Sequence, residues 1–294
     1  MKNFTRFKQI LRTSVPLAMH TWLQLGGQVE YFAEPRSEEE LADLLQTATQ
    51  AGIETRFLGT GTNVLVSDSG VPGMVIRLSA PAFCSISPDP ASETVSVGTG
   101  AKLGRVITSA VYAGLTGLEG LIGIPGTVGG AVRNNISTSD GDIAQWLESV
   151  RVVRPDGQTA DLAGDELDFS EGNNPFADGV ITACRFRLQT AEPEELTRRL
   201  QKIWILRKKN QPFGYQGAGR LFKDPSGSSA SDLIDDAGLK GTRIGGAVIC
   251  DRNSNFVLIE PECSTDDVHR LIRLIQTQVR ERSGADLETD LTLW

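Results

Sequence analysis

Short runs of alternating apolar and polar residues, punctuated by glycine and by helical stretches, recur along the whole chain and predict a mixed α and β protein. After a basic N-terminal stretch, HTWLQLGGQVEYFAEP reads as two short strands broken at Gly26 and Gly27. A helix is expected from Ser37, where SEEELADLLQTATQAG pairs Ser37 with Glu40 as a capping box and ends on glycine. TRFLGTG is a short strand running into glycine, and MVIRLS continues the sheet. Strand, helix, strand and glycine loop is the order of a mixed α/β domain.

PDPASETVSVGTGAKLGRVITSAVYAG then supplies a strand, a turn and an apolar-faced helix ending at Gly114. From Val150 the pattern becomes β-rich. VRVVRPDGQTADL reads as two strands around an Asp156-Gly157 hairpin turn, and GVITACRFRLQ as a strand whose apolar residues alternate with Arg185 and Arg187. Pro193 stands just inside the start of a long helix, PEELTRRLQKIWILRKKNQ, whose basic end suits the negative end of its dipole. This helix is expected to open a C-terminal domain. LFKDP, a helix near Ala230 to Ala237, the strands GGAVICD and NFVLIEP, and the helix STDDVHRLIRLIQTQVRERSG, capped by Ser264 or Thr265 and stopped by Gly284, would complete it.

A chain of 294 residues is long enough for two or three packed domains. Apolar content of 39% and charged content of 22% are ordinary for a globular protein. The formal charge of -8 has the wrong sign for a protein that neutralises nucleic-acid phosphates, so an anionic ligand must be met by local devices such as backbone amides. Cys84, Cys184, Cys250 and Cys263 are widely spaced without a CxxC pair, and His20 and His269 are the two histidines, so reduced thiols are expected and a metal site is not. With neither a signal peptide nor a membrane-length apolar run, the expected location is the cytoplasm, without membrane attachment, as a monomer or small homo-oligomer.

Two segments carry the chemistry. LGTGTNVLVSDSG, residues 58–70, places glycines and small polar residues directly after a strand, where backbone N–H groups can curl around a diphosphate; a tight structural turn is the alternative reading. GLEGLIGIPGTVGGAVRNN packs five glycines, Gly120, Gly123, Gly126, Gly129 and Gly130, around Pro125 and Thr127. Such density costs chain entropy on folding and is easier to understand where backbone must approach a flat ring or a phosphate closely. Neither a Walker loop nor a GxGxxG fingerprint between strand and helix is present.

These segments resemble those of the UDP-N-acetylenolpyruvoylglucosamine reductases. GTGTNVLVSDSGVPGMVI is similar to that family's GxGSNxLxxDxGxxGxVI, and GLIGIPGTVGGAV contains its GIPGTVGGA. PLAMHTWLQLGG, GAGRLFKDP, LIDDAGLKG, NSNFVLIE and DLETDL extend the likeness from about Pro16 to Leu291. The resemblance implies an α+β fold: two α+β FAD-binding subdomains, residues 1–81 and 82–191, and a smaller C-terminal α+β substrate domain, residues 192–294. It implies non-covalent FAD held by Leu58, Gly59, Thr60, Gly61, Thr62 and Asn63, by Gly120, Gly123, Ile124, Pro125, Gly126, Thr127, Gly129 and Gly130, and by Val180 and Ile181. It further implies NADPH as electron donor and reduction of UDP-N-acetylglucosamine enolpyruvate in peptidoglycan synthesis, with Lys223, Asp224 and Asn255 toward the nucleotide sugar.

Three positions depart from the family pattern. Arg220 stands where the family has its proton-donating Ser or Cys, and a guanidinium is a poor proton donor near neutral pH. Gly172 falls near the family's active-site Arg, and Asp290 replaces its catalytic Glu. Two readings follow: a reductase in which Arg220 and Asp290 carry the catalytic positions, or an FAD-binding protein on the same scaffold that lacks this reaction or takes another substrate. For Arg220 a plain ion pair with Asp224 or Asp290 is the bland alternative.

Overall fold

The computed structural model describes residues 2–138, 141–170, 175–176, 179–212 and 217–294; Gly172 lies outside them. Two compact units form: Met1–Thr13, Tyr31–Gly59 and Gly73–Ile205 make the first, and Ser14–Glu30, Thr60–Pro72 and Leu206–Trp294 the second. The chain therefore passes from one unit to the other inside the first glycine-rich segment, between Gly59 and Thr60.

The first unit holds two apolar cores. One gathers around helix α1, Glu38–Gln50, which turns Leu41, Leu44, Leu45 and Ala48 toward Ala33, Met74 and Ile76 and toward Phe4 and Phe7. Ser37 starts this helix by accepting the Glu40 N–H at 3.3 Å, and three glutamates in the first turn suit the dipole. The capping box forms only by half, because Glu40 accepts the backbone N–H of Arg36 and pairs with its guanidinium. Gly52, at φ +65, closes the helix.

The other core lies on a five-stranded antiparallel sheet ordered Thr159–Ala163, Leu147–Val153, Val180–Arg187, Thr94–Gly98, Ile86–Asp89. The hairpin turns at Asp156-Gly157, with Val153 opposite Thr159 and Gly157 at φ +84. Helices α2, Leu103–Tyr112, and α3, Val128–Arg133, bring Val106, Ile107, Ala110, Val128 and Val132 onto Val95, Val97, Val152, Ile181 and Phe186. Each such valine, isoleucine or phenylalanine side chain contributes about 1.5–3 kcal/mol when fully buried. Helix α4, Pro193–Asn210, starts on Pro193 and ends on Arg207, Lys208 and Lys209, and buries Leu196.

In the second unit, strands Ala218–Arg220, Phe256–Ile259, Ala247–Ile249 and Arg243–Ile244 form an antiparallel sheet in that order. Helices α5, Ala230–Asp236, and α6, Thr265–Ser283, pack Ile234, Val268, Leu271, Ile275 and Val279 with Ala247, Ile249 and Val257. Thr292–Leu293 pairs in parallel with Val64–Leu65. The strand expected at His20–Leu25 does not form. Trp22 N–H bonds the Gly61 carbonyl, the Thr21 hydroxyl bonds the Leu25 carbonyl, and Gln24 adopts φ +57, so Leu23 and Leu25 reach the core from a folded loop. After this loop, strand pairing resumes at Gln28–Ala33, which lies beside the earlier strand Leu11–Pro16.

Cys84, Cys184, Cys250 and Cys263 are free thiols, and no helix among the described residues is long and apolar enough to cross a membrane. Ser264, not Thr265, caps α6 and forms a reciprocal box with Asp267: Ser264 Oγ accepts the Asp267 N–H at 3.1 Å, and Asp267 Oδ2 accepts the Ser264 N–H at 3.0 Å. The backbone donor at Ser264 leads the interactions that hold the Asp267 carboxyl below the ordinary range. Its contribution is therefore present above the unfolded carboxyl pKa of about 3.9 and is lost as pH falls through the lower folded value. Asp267→Asn should lower unfolding free energy at pH 7 and flatten its fall on the acid side, as measured by urea unfolding across pH 2.5–7 on the scale of about that pKa.

Candidate functional site

In the first unit the two glycine-rich segments meet. Strand Thr55–Phe57 delivers Leu58, buried and bonded through its N–H to the Ile76 carbonyl at 3.0 Å, and then Gly59. Thr127 is the N-cap of α3 and accepts the Gly130 N–H at 3.5 Å. A Cβ placed on Gly59 would lie 2.6 Å from Thr127 Oγ1, closer than real Cβ atoms come. Glycine at 59 is thus required by the approach of the other loop. Thr99 extends the cluster: its hydroxyl donates to the Ile181 carbonyl at 2.6 Å, and its carbonyl accepts the Gly129 N–H at 2.8 Å. Val180 and Ile181 are buried beside it.

The amides of the two loops divide into two sets. Val128 and Gly129 donate to the carbonyls of Ala101 and Thr99, and Gly130 to Thr127, while Ile124 donates to Leu121 and Pro125 has no N–H. The Gly129 and Gly130 amides thus take part in the packing and capping of α3, where Gly129 lies against Thr99. The N–H groups of Gly59, Thr60, Gly61, Gly123, Gly126 and Thr127 have no acceptor among the described residues. Gly123 and Gly126 take φ +88 and +142, conformations that favour glycine, and Gly120 lies in the turn Glu119–Leu121 just before them. Thr60 Oγ1 is buried without a partner among the described residues. A buried, unbonded hydroxyl costs about 1–3 kcal/mol, and the deficit disappears when a ligand oxygen accepts from it. The unpaired amides of Gly59, Gly123, Gly126 and Thr127, on backbone bare of side chains, fit a dinucleotide whose diphosphate and flat ring need close main-chain contact.

The second unit assembles the charged residues. Leu221 N–H bonds Asn255 O, Lys223 N–H bonds Glu288 O, and Asp290 N–H bonds Leu221 O, so residues 288–290 run beside 221–223. This places Arg220 next to Asp290. Arg220 Nη2 lies 2.8 Å from Asp224 Oδ2, and Arg220 Nε lies 3.9 Å from Asp290 Oδ2, with the arginine 41% exposed. Asp224 also accepts the Ala230 N–H at 2.9 Å, which anchors it at the start of α5. Lys223 pairs with Glu288. Asn63 donates to the Asp290 carbonyl at 3.0 Å and accepts the Thr292 N–H through its own carbonyl, so the end of the first glycine-rich segment, which includes Thr62, is tied to the Asp290 strand. Asn255 is buried, and its amide accepts from the Phe222 N–H and donates to the Phe222 carbonyl. It holds the backbone beside Arg220.

Two interlocked glycine loops with free amides, set on an α+β scaffold, define an FAD-binding protein, and residues 29–163 match the family model described as FAD binding domain. Residues 211–294 match the model described as UDP-N-acetylenolpyruvoylglucosamine reductase, C-terminal domain. The chain is 33% identical to the UDP-N-acetylenolpyruvoylglucosamine reductase of Rhodopirellula baltica over 97% of this chain and 93% of that one, and 36% identical to that of a Synechococcus strain over 94% and 93%. The solved UDP-N-acetylenolpyruvylglucosamine reductase of Thermus caldophilus matches at TM-score 0.81 and 35% identity over 97% of this chain and 99% of that one. The chain belongs to the UDP-N-acetylenolpyruvoylglucosamine reductase family.

Two residues of the cluster escape sequence reasoning. Thr99 sits between Gly98 and Gly100 in a GTG segment that repeats the residues at 59–61, and this was the signal available for it. Glu119 is a buried carboxylate inside an apolar, glycine-rich run, where a charge is out of place unless paired. Gly59→Ala should displace Thr127 and weaken FAD binding by about tenfold or more, while Gly104→Ala, a helical site where a Cβ meets nothing within 4 Å, should bind FAD normally. Titration of apoprotein with FAD measures both. Asn255→Leu should cost about 2–4 kcal/mol in urea unfolding, because it leaves the Phe222 N–H and C=O without partners.

Proposed function

We propose that this chain is an FAD-dependent reductase that uses NADPH to reduce the enolpyruvyl ether of UDP-N-acetylglucosamine to UDP-N-acetylmuramate, in the cytoplasm, as a step of peptidoglycan synthesis. The observation that carries the reading is the contact of Gly59 with Thr127, which joins the two glycine-rich segments into one main-chain cradle, in a chain that aligns with named reductases over nearly its full length. FAD, when bound, supplies hydride transfer between the nicotinamide and the substrate double bond. Gly59, Gly123, Gly126 and Thr127 would hold it through backbone amides.

Hydride addition to an enolpyruvyl carbon leaves an enolate that must be stabilised and protonated. Arg220 supplies fixed positive charge for it and for the substrate carboxylate, with Asp224 and Asp290 setting the guanidinium. A guanidinium is a poor proton donor, so the proton comes through Asp290 or through water that it orients. Lys223 adds charge for the diphosphate of the nucleotide sugar.

Purified protein should be yellow and release flavin on acid treatment. Anaerobically reduced protein should be reoxidised by the enolpyruvyl substrate, and Arg220→Ala should slow that step by about a hundredfold while FAD affinity stays unchanged. Retained flavin with no reoxidation would mark a protein that holds FAD on this scaffold without catalysing the reaction; loss of flavin binding would sink the cradle.

A further inference from the structure

Glu119 is 2% exposed in the apolar core of the first unit, yet it carries a carboxylate. Burying a charge is tolerated only when its lone pairs are met. Three donors meet it: the Thr116 hydroxyl and Arg199 Nη1, the latter at 3.1 Å, reach Oε1, and the Gly117 N–H reaches Oε2 at 2.7 Å. Thr116 ends the short strand Leu115–Thr116, which pairs with Gln189–Thr190, and Arg199 lies on α4. The carboxylate therefore gathers a strand end, a turn and a helix at one point.

What it holds is the entry to the second glycine-rich loop. Gly117 adopts φ +140, a conformation that L side chains rarely take, and a Cβ there would lie 2.9 Å from the Trp146 ring. Two residues on, the Glu119 carbonyl accepts the Ile122 N–H, so side chain and main chain of one residue close both ends of a turn whose exit is Gly123. Beyond it, the Gly123, Gly126 and Thr127 amides have no acceptor among the described residues. We propose that Glu119 is a positioning residue for the cofactor: its carboxylate sets the conformation in which the Gly123–Thr127 amides are presented, with Thr116 and Arg199 as its supports. The inference rests on the FAD reading.

Neutral replacements lose this geometry for a definite reason. A glutamine at 119 would turn an NH2 toward either the Gly117 N–H or the Arg199 guanidinium, setting donor against donor. A valine at 116 keeps the shape of threonine and removes the hydroxyl, whereas serine keeps the hydroxyl.

The test is titration of apoprotein with FAD, followed by flavin fluorescence, for wild type, Glu119→Gln, Thr116→Val, Thr116→Ser and Arg199→Ala, with melting temperatures of each apoprotein. Glu119→Gln and Thr116→Val should raise the FAD Kd by about tenfold or more, Arg199→Ala by less, and Thr116→Ser should bind like wild type. If Glu119→Gln and Thr116→Val lower the melting temperature but bind FAD within about twofold of wild type, the residue is a brace of the core alone and the proposal is overturned. Should Glu119→Gln not fold, the contrast between Thr116→Val and Thr116→Ser decides in the same terms. Failure of wild type to bind FAD would instead remove the FAD reading.

Discussion

Everything in the first unit's site depends on one close approach, that of the Gly59 main chain to the Thr127 side chain. A methyl group at 59 would occupy the space of Thr127 Oγ1, so two loops far apart in sequence can share one surface only because one of them presents bare backbone. The consequences spread outward from there. Thr127 caps α3, α3 packs Val128 and Val132 into the sheet core, and Gly129 docks on Thr99, which also holds Ile181. The cradle is thus an extension of core packing, and its free amides are those the packing leaves over.

The second unit solves a different problem, that of bringing charged groups together at a partly exposed place. Its solution is a set of main-chain bonds between residues 221–223 and 288–290, with Asn255 clamping Phe222 from the far side. Arg220, Asp224 and Asp290 follow from that register. Arg220 and Asp224 form an ion pair, so one charge is balanced by the other. An exposed pair of this kind adds little stability, about 0–1 kcal/mol, but it restricts the guanidinium to a defined direction.

Much of this was legible from residue order. The hairpin at Asp156-Gly157, the helices stopped by Gly52, Gly114 and Gly284, and the start of α4 at Pro193 all follow from local rules, because caps and turns are satisfied by neighbours in sequence. The failures have a common cause. His20–Leu25 shows strand-like alternation, but Trp22 is drawn to the Gly61 carbonyl, a partner about forty residues away that no local rule can supply. The same holds for Asn255, whose partner is Phe222.

Glycine spacing and the GIPGTVGGA and GTGTN segments were enough to establish an α+β flavoprotein of this family, since backbone without side chains is written directly into the residue types. Which of those glycines present amides and which merely pack could not be read that way. Gly123 and Gly126 look like Gly129 and Gly130 in one dimension; the Thr99 carbonyl and the Thr127 hydroxyl, fixed by the fold, accept the amides of the latter pair, while the former have no acceptor among the described residues. The pairing of Arg220 with Asp224 and Asp290, and the burial of Glu119 among three donors, likewise depend on chain segments that meet only after folding, because electrostatic partners are chosen by distance in space.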